Sequence, residues 1–222
     1  MIMNKRIKRI VILVSGSGSN LQAIIEACQA GYIQAEIVAV ISNKPNVFAL
    51  QRAKNAQIAT HVIEHTKYSE RALFDMAVAN QIADYQPDLI ILAGYMRILT
   101  PHFIQRFVGK IINIHPSLLP KYPGLHTHQR AIEAGDDRHG ATVHFVTQEL
   151  DGGPIILQAA VPVLANDNQD TLSHRVLNKE HQIYPLTIKW FIDGRLIMRD
   201  NQAYLDGKPL PICGCQNVET VR

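Results

Sequence analysis

The amino-acid sequence predicts an α/β protein built on a single doubly wound, mostly parallel sheet flanked by helices. Short apolar runs typical of buried strands alternate with helix-like periodic segments along most of the chain. A glycine-rich turn joins the first of these strands to the first helix. The 222 residues, 47% of them hydrophobic, are enough to bury a large core.

The strand-like runs are rich in Ile, Val and Leu and stop at Gly, Pro, Asn or Ser. The predicted strands span residues 10–14, 37–41, 61–63, 89–93, 111–115, 142–146 and 155–163. Helical periodicity predicts helices at 21–30, 49–55, 69–85, 100–107, 129–134 and 171–192. Ser69 is the expected N-cap of the third helix, and Pro87 stops it. The last thirty residues alternate weakly, which predicts a small hairpin and a tail.

Composition excludes several classes of protein. A net charge of +3 is too small and too scattered to indicate nucleic-acid binding, and no apolar run reaches the length of a membrane span. The basic start followed by IVILV looks like a signal peptide, but GSGSN stands where a cleavage site would lie, so a first strand is predicted. Cys28, Cys213 and Cys215 are an odd, sparse set, which favours free thiols and a cytoplasmic location.

The stretch SGSGSNLQAI, residues 15–24, follows the first strand and opens a helix. Glycines allow close backbone approach, and the free N–H groups at a helix start favour an anion. Leu21 stands where a dinucleotide fingerprint needs glycine, and the GK[ST] ending of a Walker A loop is absent. Two interpretations stay open: a phosphate or carboxylate site, or a plain turn capped by Ser19 or Asn20.

Residues 112–124, INIHPSLLPKYPG, carry two polar side chains into the end of a buried strand. Alternation places Asn113 and His115 on one face of that strand. At the carboxyl end of a parallel strand they would form an oxyanion donor and a proton-handling group. The alternative is that His115 only bonds backbone at the strand end.

A second motif, HGATVHFVTQELDGGPII, covers residues 139–156. Asp151 is either a turn former or a carboxylate that pairs with His115 and raises its pKa. His144 shares a strand face with Thr142, and it is either an interior histidine or a participant in the site. The histidines His126, His128 and His139 lack a fixed metal-binding pattern, so no metal is predicted.

Together these motifs resemble the 10-formyltetrahydrofolate-dependent formyltransferases, from Ile10 to about Gly207. The resemblance rests on VSGSGSNLQAI, LAGYMRIL, NIHPSLLPKYPGLHTH, HGATVHFVTQELDGGPIILQ and KEHQIYP. It implies the formyltransferase fold, with a Rossmann-like N-terminal half, in one domain over residues 1–222. Within it, residues 7–110 would be the phosphate-binding half, 111–207 the catalytic and folate-binding half, and 208–222 a tail.

The resemblance also implies roles for individual residues. Asn113, His115 and Asp151 would be catalytic, while Gly18, Ser19 and Asn20 would hold the substrate phosphate and Glu180 would contact the substrate. The folate would be surrounded by Arg71, Met96, Arg97, Ile98, Leu99, Thr147, Gln148, Glu149 and Leu150.

The implied reaction is transfer of the formyl group of 10-formyltetrahydrofolate to the amine of glycinamide ribonucleotide, a one-carbon step of purine synthesis. The implied partners are these two small molecules, with no nucleic acid or membrane, in a monomer or homodimer. Two alternatives remain: a methionyl-tRNA formyltransferase or formyltetrahydrofolate deformylase, both of which should carry an added domain, and a non-catalytic nucleotide-binding module.

Overall fold

The computed structural model describes residues 6–215, and the chain divides into two compact units, Met1–Arg106 and Phe107–Arg222. Both contribute strands to a seven-stranded, mostly parallel sheet with helices on its flanks, as the sequence predicts. Within the described residues, none of the helices combines the length and apolar character that crossing a membrane requires.

The first unit is built on four strands in the order β3-β2-β1-β4, and the pairs β1–β2, β2–β3 and β1–β4 are parallel. The strands are β1 (Lys8–Val14), β2 (Ala35–Ser42), β3 (Thr60–Val62) and β4 (Leu89–Leu92). The helices are α1 (Ser19–Gln29), α2 (Phe48–Asn55), α3 (Arg71–Asp84) and α4 (Pro101–Arg106). Every residue from 10 to 14 is fully buried, as continuous apolar runs in parallel sheets require.

The second unit contributes three antiparallel strands, β5 (Ile111–His115), β6 (Arg138–Phe145) and β7 (Ile155–Pro162). A long helix, α6 (Gln169–Ile192), packs on β6 and β7, and the shorter helix α5 covers Thr127–Glu133. Residues 116–126, here called the proline loop, join β5 to α5. A separate small sheet contains β8 (Leu196–Arg199), β9 (Gln202–Leu205) and β10 (Lys208–Pro209), which includes the predicted hairpin.

The helix starts differ from the sequence prediction by one or two residues, and at α3 and α6 the structure shows why. Ser69 does not cap α3: the backbone is still extended at Glu70 (φ −133°, ψ 144°), so the helix begins only at Arg71. Helix α6 begins two residues before the predicted Thr171, because the Asn168 side chain accepts hydrogen bonds from the N–H groups of Asp170 and Thr171. The Thr171 hydroxyl oxygen in turn accepts the N–H of Asn168, which completes a capping box.

Candidate active site

The glycine-rich turn of the first unit presents the start of α1 without a side-chain cap. Gly18 is the N-cap residue, in the left-handed region (φ 74°), and it makes no side-chain cap bond to the first helical N–H groups. A Cβ at Gly18 would lie 2.7 Å from the Cβ of Ala49, so the turn packs closely on α2. The expected cap at Ser19 or Asn20 is wrong, because Gly18 is the N-cap and both residues lie inside the first helical turn.

A cavity of about 160 Å³ lies at this helix start. It is lined by residues 15–20 together with Ala93, Gly94 and Met96. A Cβ built on Gly16 meets no atom within 4 Å, so a side chain there would project into open space. The initial N–H groups of a helix have no intrahelical acceptor and carry a partial positive charge. The cavity is therefore suited to an anion such as a phosphate.

The hydroxyl of Ser15 connects this turn to the segment after β4. Ser15 is buried, donates to Oδ1 of Asn43 at 2.6 Å and accepts the N–H of Met96 at 2.8 Å. Met96 and Ile98 are exposed, whereas Leu99 is buried. Two of the three apolar side chains expected around the folate are thus exposed to solvent, while the Ser15 hydroxyl fixes the backbone at Met96.

The two arginines predicted near the folate have different surroundings. Arg71 is exposed in the first turn of α3. The guanidinium of Arg97 lies 5.7 Å from the ring centre of Phe74, and its Nε is buried. Arg97 is therefore packed against the interior of its own unit, and Arg71 is the more accessible of the two cations.

In the second unit, His115 and Asp151 form a pair at the end of β5. Nδ1 of His115 is 3.5 Å from Oδ2 of Asp151, and both side chains are almost completely buried. Nε2 of His115 donates to the carbonyl oxygen of Tyr122 at 2.8 Å, and Oδ2 of Asp151 accepts the N–H of Gly124 at 2.8 Å. An acceptor therefore lies beside each ring nitrogen, an arrangement that suits a doubly protonated imidazolium.

Asn113 meets His144, its partner in the β5–β6 register. Nδ1 of His144 donates to the carbonyl of Phe145 at 2.9 Å, so Nε2 must accept, and it receives the Nδ2 amide of Asn113 at 3.2 Å. Burial lowers the pKa of His144 to about 4, which keeps the ring neutral near pH 7. His144 thereby fixes the orientation of the Asn113 amide, whose second N–H hydrogen can serve another acceptor.

The turn at Asp151–Gly153 is conformationally constrained and closely packed. Asp151 lies in the left-handed region (φ 52°), and a Cβ on Gly153 would come within 1.9 Å of the Phe145 carbonyl oxygen. The turn thus presses against the end of β6 and directs the Asp151 carboxylate toward His115. Among the residues preceding it, Thr147 is half-buried, whereas Gln148, Glu149 and Leu150 are exposed. Glu180 is buried on α6.

The remaining histidines do not assemble a metal centre within residues 6–215. His126 precedes α5, where it is the N-cap residue. His128 and His139 share a hydrogen bond of 3.1 Å. Burial, with His128 close by, lowers the pKa of His139 to about 4. This pair is better described as a neutral imidazole contact beneath the proline loop.

A family model described as formyl transferase matches residues 8–188, most of the chain. The chain belongs to the formyl transferase family. Phosphoribosylglycinamide formyltransferase of Escherichia coli strain K12 is 55% identical over 91% of this chain and 95% of its own. The enzyme of that name from Haemophilus influenzae is 56% identical, over 95% of this chain and 99% of its own.

Solved structures agree with this family membership. The phosphoribosylglycinamide formyltransferase of Coxiella burnetii, solved in complex with CHES, superposes with a TM-score of 0.91 at 48% identity. The superposition covers 95% of this formyl transferase chain and 99% of the Coxiella burnetii chain. A formyltetrahydrofolate deformylase from Pseudomonas syringae has a TM-score of 0.83 at 27% identity, over 90% of this chain and 66% of its own.

Sequence reasoning missed three groups around these sites. They are the Ser15 hydroxyl, the Tyr122 carbonyl and the side chain of Gln158. Gln158 alone had a visible signal, since it is a single amide in the otherwise apolar strand sequence IILQAAV. A main-chain carbonyl such as that of Tyr122 leaves no trace in the sequence, because every residue has one.

Proposed function

We propose that this chain transfers the formyl group of 10-formyltetrahydrofolate to the amine of glycinamide ribonucleotide, giving the formylated ribonucleotide and tetrahydrofolate. The observation that carries the proposal is that His115 pairs with Asp151 and that His144, beside the same carboxylate, holds Asn113, in a member of the formyl transferase family. Identities of 55% and 56% to proteins named phosphoribosylglycinamide formyltransferase support this substrate pair. The reaction is a one-carbon step of purine synthesis.

The chemistry requires a place for negative charge and a route for one proton. The amine nitrogen attacks the formyl carbon, and the carbonyl electrons move to oxygen to give a tetrahedral oxyanion. We assign the second N–H of Asn113 and the positive charge of the His115 imidazolium to the stabilisation of this oxyanion. The C–N10 bond then breaks, and the proton lost by the amine is returned to N10.

Asp151 holds the imidazolium and handles that proton in this mechanism. Both ring nitrogens of His115 face acceptors, so the ring acts mainly through its charge rather than through a free N–H aimed at the substrate. This refines the role expected from the sequence. The Asp151 carboxylate can take up a proton from the attacking amine, directly or through water, and deliver it to the leaving nitrogen.

The ligand contacts follow from the same assignment. The cavity at the start of α1, with Gly18, Ser19 and Asn20, holds the ribose phosphate, and Glu180 contacts the glycinamide part. The folate is contacted by Arg71, by Met96–Leu99 through exposed side chains and backbone, and by residues 147–150. We further propose a cytoplasmic enzyme, a monomer or homodimer, with residues 1–222 forming one functional domain.

A formyl-transfer assay tests the reaction itself. With formyl-labelled 10-formyltetrahydrofolate and glycinamide ribonucleotide, the label should appear in the ribonucleotide, and tetrahydrofolate release should depend on the second substrate. Label recovered as formate without the ribonucleotide would indicate a deformylase. Binding of both ligands without turnover would indicate a non-catalytic module.

The phosphate assignment has a sharper test at Gly16 than at Gly18. A methyl group at Gly16 meets no protein atom, so Gly16→Ala should fold normally while occupying space in the cavity. We expect the Kd of glycinamide ribonucleotide to rise at least about tenfold and the Kd of the folate to change little, both by calorimetry. Equal loss of both ligands, or no loss of either, would remove the cavity from the phosphate site.

A further inference from the structure

Two buried polar side chains stand side by side in the antiparallel part of the sheet. Thr142 on β6 and Gln158 on β7 are register partners, with exposed fractions of 0% and 6%. Nε2 of Gln158 donates to Oγ1 of Thr142 at 2.9 Å and to the carbonyl of Leu119 at 2.8 Å. Both amide hydrogens are thus used inside the protein, where burying an unpaired amide is unfavourable.

The Thr142 hydroxyl extends this pair into a network. It donates to the Ser117 carbonyl at 2.6 Å and accepts the N–H of Leu119 at 3.1 Å. Residues 117–119 at the start of the proline loop are therefore fixed by both strands through side-chain bonds. Fully satisfied buried networks of this kind favour one arrangement of the backbone, because every alternative leaves a polar group unpaired.

The same proline loop supplies the main-chain groups that hold the catalytic pair. Tyr122 provides the carbonyl that accepts Nε2–H of His115, and Gly124 provides the N–H that binds Oδ2 of Asp151. The side chains of Lys121 and Tyr122 are bound to Asp136 near the surface, and the buried Ser117 hydroxyl donates to the Lys121 carbonyl at 2.6 Å. Inside the protein, the network of Gln158 and Thr142 fixes the start of the proline loop. The network therefore determines the positions of the Tyr122 carbonyl and the Gly124 N–H.

We infer that Gln158 is a positioning residue for the His115–Asp151 pair. Its amide fixes residues 117–119 together with Thr142, and the loop so fixed orients the imidazole through Tyr122 and the carboxylate through Gly124. Gln158 touches neither catalytic side chain in the bonds that define the network. The inference rests on the proposed function, since it takes His115 and Asp151 as the catalytic pair.

The test removes the donors of Gln158 without removing its bulk. Gln158→Met keeps the length of the side chain, and we expect kcat to fall at least about tenfold, with KM for either substrate changed less than about threefold. Gln202→Met is the matched control, because the Gln202 amide also donates to a main-chain carbonyl, that of Leu210 at 2.8 Å, but in the small sheet. The control should keep kcat within about twofold of the unsubstituted protein.

A second pair of variants covers the case in which Gln158→Met fails to fold. Thr142→Ser keeps the hydroxyl and should keep kcat, whereas Thr142→Val removes it and should reproduce the kcat loss. Combined with Gln158→Met, the Thr142→Val loss should be less than multiplicative, as for members of one network. Nitrogen-15 spectra of the imidazole should also show faster solvent exchange of the His115 Nε2 proton in both Gln158→Met and Thr142→Val.

Several outcomes would overturn the inference. They are an unchanged kcat in folded Gln158→Met, an equal loss in Gln202→Met, and an equal kcat loss in Thr142→Ser and Thr142→Val. Failure of the proposed function itself is distinguishable. In that case the unsubstituted protein would transfer no formyl group to glycinamide ribonucleotide, whatever the Gln158 variants do.

Discussion

Replacing Asp151 with asparagine removes one charge from the catalytic pair and leaves the turn in place. Asparagine tolerates the left-handed backbone of this position (φ 52°) as well as aspartate does. Its amide oxygen can accept the N–H of Gly124, as the carboxylate does. We therefore expect the free energy of unfolding to change by less than about 1 kcal/mol.

The effect on catalysis follows from the distance between the charges. Two unit charges 3.5 Å apart attract by about 5 kcal/mol at an effective dielectric constant of about 20. Since each 1.36 kcal/mol is about a factor of ten in rate, losing the whole attraction would lower kcat by about three thousandfold. Loss of general acid–base help alone costs at least about a hundredfold. We expect a kcat loss between these limits.

The assay is steady-state formyl transfer with both substrates saturating, beside urea unfolding of the same preparations. Asp200→Asn is the matched control, because Asp200 is also an aspartate in the left-handed region (φ 49°) but lies exposed in the β8–β9 turn. The control should keep normal kcat. A folded Asp151→Asn protein with kcat within about threefold of the original would refute the catalytic role and leave Asp151 as a turn residue.

Three further predictions concern stability and the ligand sites. The free energy of unfolding should be highest above pH 6.5 and should decrease as the pH falls toward 4. Burial lowers the pKa of His144 from 6.5 to about 4, so between these pH values this histidine binds a proton only in the unfolded chain. His144 alone should account for a loss of about 2 kcal/mol at about pH 5, and His139, whose pKa is also lowered to about 4, adds to it in the same direction. Equal urea midpoints at about pH 7.5 and about pH 5 would contradict this prediction. Gly18→Ala should destabilise the protein by about 2–4 kcal/mol, because φ is 74° and the new Cβ would lie 2.7 Å from that of Ala49. Thermal unfolding measures this loss, and an unchanged midpoint would mean that the turn can relax. Arg71→Ala should raise the folate KM severalfold at unchanged stability, whereas Arg97→Ala, which loses contact with an aromatic ring, should lower the unfolding temperature. A higher folate KM in Arg97→Ala and a lower unfolding temperature in Arg71→Ala would exchange their roles.

The sequence by itself determined the local structure and most of the chemical inventory. Strand β5 runs from Ile111 to His115 as predicted, because alternating and continuous apolar runs are properties of neighbouring residues. The glycine-rich turn before α1 and the types of side chain at Asn113, His115 and Asp151 were equally visible. Local patterns failed at helix starts, where the choice of cap at Glu70 and Asn168 depends on backbone geometry one or two residues away.

Only the tertiary structure decided which of these groups touch and in which state. Asn113 and His144 are 31 residues apart, and their pairing depends on the register of two antiparallel strands, which the sequence of neither strand specifies. The same packing leaves His144 neutral, turns Nε2 of His115 toward a main-chain carbonyl and directs Arg97 onto Phe74. Burial and long-range hydrogen bonding set these properties, because both arise when segments distant in sequence exclude water from one another.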